Sequence, residues 1–105
     1  MGIMKNYTFA CKLSDIPAGS KRKIVVAGKQ IMIANIAGIC FAVDDACTHL
    51  GCSLTKGALN GPVITCACHG GQFDVPTGKV LASPPKKNVS TYPVKITGDD
   101  VMIQL

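Results

Sequence analysis

Both histidines of this 105-residue chain, and four of its six cysteines, fall between positions 47 and 69. They form two short boxes, Cys47-Thr48-His49-Leu50-Gly51-Cys52 and Cys66-Ala67-Cys68-His69-Gly70-Gly71, with sixteen residues between His49 and Cys66. Each box pairs a cysteine and a histidine at ligand spacing, C-x-H in the first and C-x-x-H in the second. Residues 44–85, which contain both boxes, also hold six glycines and four prolines and offer few side chains for a conventional core. A structureless loop of that length is uncommon inside a compact domain. Something other than side-chain packing, a metal or a disulfide, is expected to order it.

The flanks read as short strands. Ile31, Ile33 and Asn35 alternate with Met32, Ala34 and Ile36, and Ile39, Phe41 and Val43 alternate with Cys40 and Ala42, the two-residue period of a strand. Ala37-Gly38 between them is a tight-turn signal, so residues 31–43 are predicted to form a hairpin. Lys23–Ala27 precedes it as a further strand, linked through Gly28-Lys29. Thr91–Thr97 and Val101–Leu105 flank Gly98-Asp99-Asp100 in a second hairpin pattern. Pro93 places the first of those runs at an edge or a bulge. No 3.6-residue apolar stripe of useful length occurs. The expected fold is mainly β, an antiparallel sandwich or partly open barrel, with a subdomain of two loops over about 44–85 and one domain over residues 1–105.

Composition narrows the function classes. With 48% hydrophobic and 16% charged residues and a mean hydropathy of +0.32, disorder is excluded. No uncharged apolar run approaches the roughly 18 residues of a spanning helix. The stretch Met1–Tyr7 has no apolar core of a secretory signal, which makes a cytoplasmic protein the expectation. The net charge is +5, with six Asp and no Glu, and the basic runs are Lys21-Arg22-Lys23 and Lys86-Lys87. Without interleaved aromatics these runs do not make a nucleic-acid platform; a cationic face of this kind keeps a small apolar domain soluble, or meets an anionic membrane or an acidic protein partner.

The boxes limit what binds between them. A zinc ribbon uses C-x-x-C knuckles, and a zinc finger sets its histidines three to five residues apart; neither pattern is present. Disulfide use of all the cysteines explains neither histidine and suits a reducing compartment poorly. Two matched copies of a Cys–His pair suggest a clamp rather than a nucleophile and its base. An iron–sulfur cluster held by two Cys and two His remains.

CTHLGC and CACHGG, followed by Phe73-Asp74-x-x-Thr77-Gly78 and by Ser83-Pro84-Pro85, resemble the Rieske-type [2Fe–2S] proteins, small soluble Rieske ferredoxins in particular. The resemblance implies one cluster per chain, with Cys47 and Cys66 on one iron and His49 and His69 on the other. Replacing two thiolates by neutral imidazoles removes negative charge and raises the potential. It further implies a Cys52–Cys68 disulfide between the loops, as in one branch of the family, although many oxygenase-linked relatives carry other residues there. Leu50 is expected to shield the cluster and Pro84 and Pro85 to cover it. Gly51, Gly70 and Gly71 are expected to allow positive φ and close approach of amide groups. Cys11 and Cys40 read as core filler.

The implied function is that of a monomeric one-electron carrier, without a catalytic site of its own, that meets a redox enzyme or respiratory partner with an acidic docking surface. The alternative is an electron-feeding subunit of an oxygenase or nitrite-reductase-like complex. Where high-potential relatives place Ser and Tyr after the second box, this chain has Gly71 and Phe73. Lacking those hydroxyl donors, it is expected to have a potential below the top of the family range.

One measurement separates the cluster from a zinc knuckle. The purified protein is expected to contain two irons and two acid-labile sulfides per chain and to absorb visible light. Stoichiometric zinc in a colourless protein would overturn the reading.

Overall fold

The structure, a computed structural model, describes residues 7–105, so the sequence reading of the amino terminus falls largely outside it. Eleven strands run in chain order: β1 (Tyr7–Lys12), β2 (Lys21–Val26), β3 (Lys29–Ile36), β4 (Ile39–Asp44), β5 (Ala58–Asn60), β6 (Val63–Thr65), β7 (Gln72–Asp74), β8 (Val80–Ala82), β9 (Thr91–Tyr92), β10 (Val94–Thr97) and β11 (Asp100–Gln104). They make three antiparallel sheets, ordered β1-β11-β10, β2-β3-β4-β9 and β5-β6-β7-β8. The fold is mainly β, as expected, and no barrel closes. No helix among the described residues is long and apolar enough to cross a membrane.

Strand β3 is the wall of the molecule. Residues 31–35 are buried without interruption, because both faces of the strand meet a core. Met32 and Ala34 face one core with Val43, Leu54, Ile64, Phe73, Val75 and Val89. Ile31 and Ile33 face the other with Ile16, Val26, Ala42, Val101 and Ile103. Alternation along an all-apolar run thus serves two cores at once. Its hairpin with β4 pairs Ile36 with Ile39 and Ile31 with Asp44, in the expected register about the Ala37-Gly38 turn.

Three local expectations are corrected. The turn before β3 is Ala27-Gly28, and Lys29 already belongs to the strand; Ala27 and Ala37 take φ of 51° and 54°, as the first residues of tight hairpin turns do. Thr91–Thr97 is not one strand. Pro93 has no amide hydrogen to donate to a ladder, and the chain changes sheets there, with β9 pairing to β4 and β10 to β11. Finally, residues 44–85 are not poor in core: they fold into β5–β8 around Leu54, Ile64, Phe73 and Val75. Those strands are three residues long, too short to show a period in the sequence.

The excursion that carries both boxes leaves the sheet after Asp44 and returns at Thr91. Its neck is closed by the Asp44 N–H donating to the Ser90 carbonyl (2.9 Å) and the Tyr92 hydroxyl donating to Asp44 Oδ1 (2.5 Å). Burial, then the Asp44 carboxylate, push the Tyr92 hydroxyl up to about 12. A folded-state value above the unfolded one gives stability that is complete below about pH 10 and lost as pH rises towards 12. Tyr92→Phe is therefore expected to flatten the alkaline loss of stability between those values, measured as urea midpoints against pH. Parallel curves for the two proteins would show that the neck hydrogen bond is not formed.

Candidate metal centre

The two boxes fold into the same loop. In the first, the Cys47 N–H donates to the Cys52 carbonyl (2.8 Å) and the Gly51 N–H to the Cys47 carbonyl (2.8 Å). In the second, the Cys66 N–H donates to the Gly71 carbonyl (2.7 Å) and the Gly70 N–H to the Cys66 carbonyl (3.0 Å). Each loop closes a short antiparallel pair, Ala46 opposite Ser53 and Thr65 opposite Gln72. Gly51 and Gly70 hold the same place in each loop and the same φ of 76°, a left-handed conformation in which any Cβ is strained.

Within this shared frame the chemistry alternates between inside and outside. Cys47 and Cys66 are buried in the core with Ile64 and Phe73. Burial pushes the Cys47 thiol up; the backbone amides of His49 and Leu50, which donate towards its sulfur, pull it down, and the adjacent Cys66 thiol raises it further. His49 and His69 are exposed, their ring centroids 5.2 Å apart and their planes at 82°. Cys52 and Cys68 form a disulfide across the loops with a Cα–Cα distance of 6.5 Å. The sulfurs of Cys52, Cys66 and Cys68 lie within 4.8 Å of one another, but two of them are spent in that bridge and offer no thiolate. What remains at the site is two buried thiols and two exposed imidazoles, a donor set that fits a cluster with unlike irons.

Three further features frame the loops. Asp45, fully buried, anchors the root of the first: its carboxylate accepts from Ser53 Oγ (2.5 Å), from the Thr55 N–H (2.9 Å) and from the Thr55 hydroxyl, with Lys23 Nζ at 3.8 Å. Burial alone pushes that carboxyl up, but the hydrogen bonds from Ser53 and Thr55, aided by Lys23, leave it below the usual carboxylate range. Thr48 Oγ1 donates to the Lys87 carbonyl (2.7 Å), fastening the segment after Pro85 onto the first loop. Pro85 itself is buried against the second loop. A Cβ built at Gly71 would stand 2.5 Å and 2.7 Å from its Cδ and Cγ.

The sequence reading assigned no role to Asp45 or to the Thr48 hydroxyl, and it read Lys87 as part of a basic run, not as an anchor of the first loop. One expectation is corrected. Gly71 does not take a positive φ; it is required because the Pro85 ring occupies the place of a side chain. Leu50, at the tip of its loop beside Gly51, is 65% exposed. Cys11 and Cys40 are buried and unbridged in the core on the far side of β3, and burial pushes both thiols up.

The family of Rieske [2Fe-2S] domains matches residues 6–93. The chain belongs to that family. It is 42% identical over 96 residues to the ferredoxin component of the naphthalene 1,2-dioxygenase system of Pseudomonas aeruginosa, covering 91% of this chain and 92% of that protein. It is 38% identical to the biphenyl dioxygenase ferredoxin subunit of Pseudomonas sp. (strain KKS102), over 92% and 90% of the two chains. Among solved structures it is similar to the Sphingomonas yanoikuyae B1 ferredoxin, at a TM-score of 0.90 and 32% identity over 95% of this chain and 99% of that one. A Rieske domain binds a [2Fe–2S] cluster, and this Rieske protein is an electron carrier of the ferredoxin kind rather than an enzyme.

The contact between Gly71 and Pro85 sets a testable cost. Gly71→Ala is expected to destabilise the Rieske fold by ~1–3 kcal/mol in denaturant unfolding, the range for overpacking a filled site. A change within ~0.5 kcal/mol, ordinary for a surface position, would show that Pro85 does not press on the loop. The same ring makes Gly71→Ser a poor probe of the missing hydroxyl; Phe73→Tyr, read as a rise in reduction potential, is the better one.

Proposed function

We propose that Cys47 and Cys66 bind one iron of the cluster through thiolates, that His49 and His69 bind the other through imidazole nitrogen, and that the whole chain works as one Rieske domain. The observation that carries this is the pair of loops closed by the same backbone hydrogen bonds. Each brings one buried thiol and one exposed imidazole to a common place, while the disulfide withdraws the other two cysteines from ligation. The cluster supplies a one-electron couple. The protein does the rest. Burial of Cys47 and Cys66 keeps water from the thiolates, and the amides of His49 and Leu50 donate towards the Cys47 sulfur. Gly51 and Gly70 turn the loops, Gly71 lets Pro85 close on the second, and Pro84 continues that cover. The exposed rings of His49 and His69 are the route by which the electron enters and leaves.

In this reading the carrier is a cytoplasmic monomer that delivers electrons to an oxygenase, whose docking surface is acidic and is met transiently. The named relatives support an oxygenase: ferredoxins of dioxygenase systems match over nine-tenths of both chains. The ferredoxin fold is also found, at a TM-score of 0.89 and 29% identity, in the complex of reduced oxygenase and oxidized ferredoxin of carbazole 1,9a-dioxygenase.

The ligand set is tested one side chain at a time. Cys47→Ser, His49→Ala, Cys66→Ser and His69→Ala are each expected to abolish the visible chromophore and the bound iron. Cys11→Ala and Cys40→Ala, on the far side of β3, are expected to keep both. A histidine variant that retains full iron and an unchanged spectrum would overturn the assignment.

A further inference from the structure

The chain has two basic runs, and an acidic partner would meet them differently. Residues 46–73 contain no Asp or Glu, and neither do residues 80–90, so the loops and the segment fastened to them carry no carboxylate. Lys86 and Lys87 are exposed there. Asp74, just past the second loop, accepts from the Thr77 hydroxyl (2.6 Å) and belongs to a turn of its own. Among the described residues the ion pairs are Lys12–Asp100 at 2.7 Å and Lys23–Asp45 at 3.8 Å, and neither involves Lys86 or Lys87. The run on β2 is partly answered from within, since Lys23 faces the buried Asp45, and the nearby Lys29 lies 5.6 Å from the Tyr92 ring centre.

The position of the second run is built, not incidental. The Thr48 hydroxyl holds the Lys87 carbonyl across 39 residues of sequence, and Thr48 is the residue before His49. Pro85, the residue before Lys86, is locked against Gly71, two residues after His69. One short segment is thereby tied to both boxes, and its two ammonium groups belong to the end of the molecule that exposes His49, His69 and the apolar side chain of Leu50.

We infer that Lys86 and Lys87 are the charges that turn this end, with Leu50 and the two histidines, onto its partner, a redox protein presenting an acidic surface. The inference rests on the carrier reading above and selects the Lys86–Lys87 surface over the Lys21–Lys23 strip. Unpaired lysines at this end raise the rate of encounter with an acidic surface and turn the histidines towards it. Leu50 offers the apolar contact that holds the encounter once water is excluded.

A carboxylate-terminated thiol monolayer on gold serves as the acidic probe and needs no knowledge of the partner. The cluster-loaded protein is expected to exchange electrons with this surface, in a wave that weakens as salt is raised. Lys86→Glu with Lys87→Glu is expected to lower the interfacial rate constant by about tenfold or more, with iron content, visible spectrum and midpoint potential unchanged. On an ammonium-terminated monolayer the same variant is expected to outpace the wild type. Lys21→Glu with Arg22→Glu is expected to behave as wild type on both surfaces. Loss of the wave in the Lys21/Arg22 variant instead, or no change in the Lys86/Lys87 variant, would overturn the docking assignment while leaving the carrier reading intact. A protein without an iron chromophore would defeat the carrier reading itself.

Discussion

The covalent bond between Cys52 and Cys68 joins two loops that side-chain packing alone does not bring together. Cys47 and Cys66 are buried in the core and Cys52 packs against it; His49, Leu50, Gly51, Cys68, His69 and Gly70 are all exposed. Backbone hydrogen bonds shape each loop internally but do not fix one against the other. The bridge does so across a sequence separation of 16. Closing a loop of that size removes about 3 kcal/mol of disorder from the unfolded chain in the chain-entropy account. Pro85 on the second loop and the Thr48 bond to Lys87 on the first supply a second, noncovalent tie from the opposite direction.

The sheet beneath separates two kinds of cysteine. Alternation along β3 and β4 sends Met32, Ala34 and Val43 towards the loops, and Ile31, Ile33, Cys40 and Ala42 away from them. Cys11 and Cys40 therefore lie in a core with no contact to the site, where they behave as small apolar side chains. Asp45 is the one fully buried charge among the described residues, and Ser53, Thr55 and Lys23 compensate the desolvation that its position at the root of the first loop imposes. The tyrosine at the neck and the carboxylate at the root thus give the excursion a polar foundation, while its tip is apolar and cationic.

Much of this was legible in the sequence because it is local. The Cys–His boxes carry their spacing with them, the hairpin of β3 and β4 shows its period over eleven strand positions about one turn, and Pro93 announces an interruption wherever the strand is placed. What was not legible depends on partners far along the chain. Strands β5–β8 are too short to display a period, and their core borrows Met32 and Val43 from the sheet below. The need for glycine at Gly71 comes from Pro85, fourteen positions away and brought near only by the fold. Thr48 and Lys87 meet across 39 positions, and nothing in either residue's neighbourhood advertises the other.

Because the chain has just two histidines, labelling every histidine with nitrogen-15 labels His49 and His69 alone. Pulsed electron paramagnetic resonance of the reduced, labelled protein therefore reads the central assignment directly. The account predicts two nitrogen-15 couplings of directly bonded strength. A reduced cluster that shows no strong histidine nitrogen coupling, with iron held by sulfur alone, would contradict it.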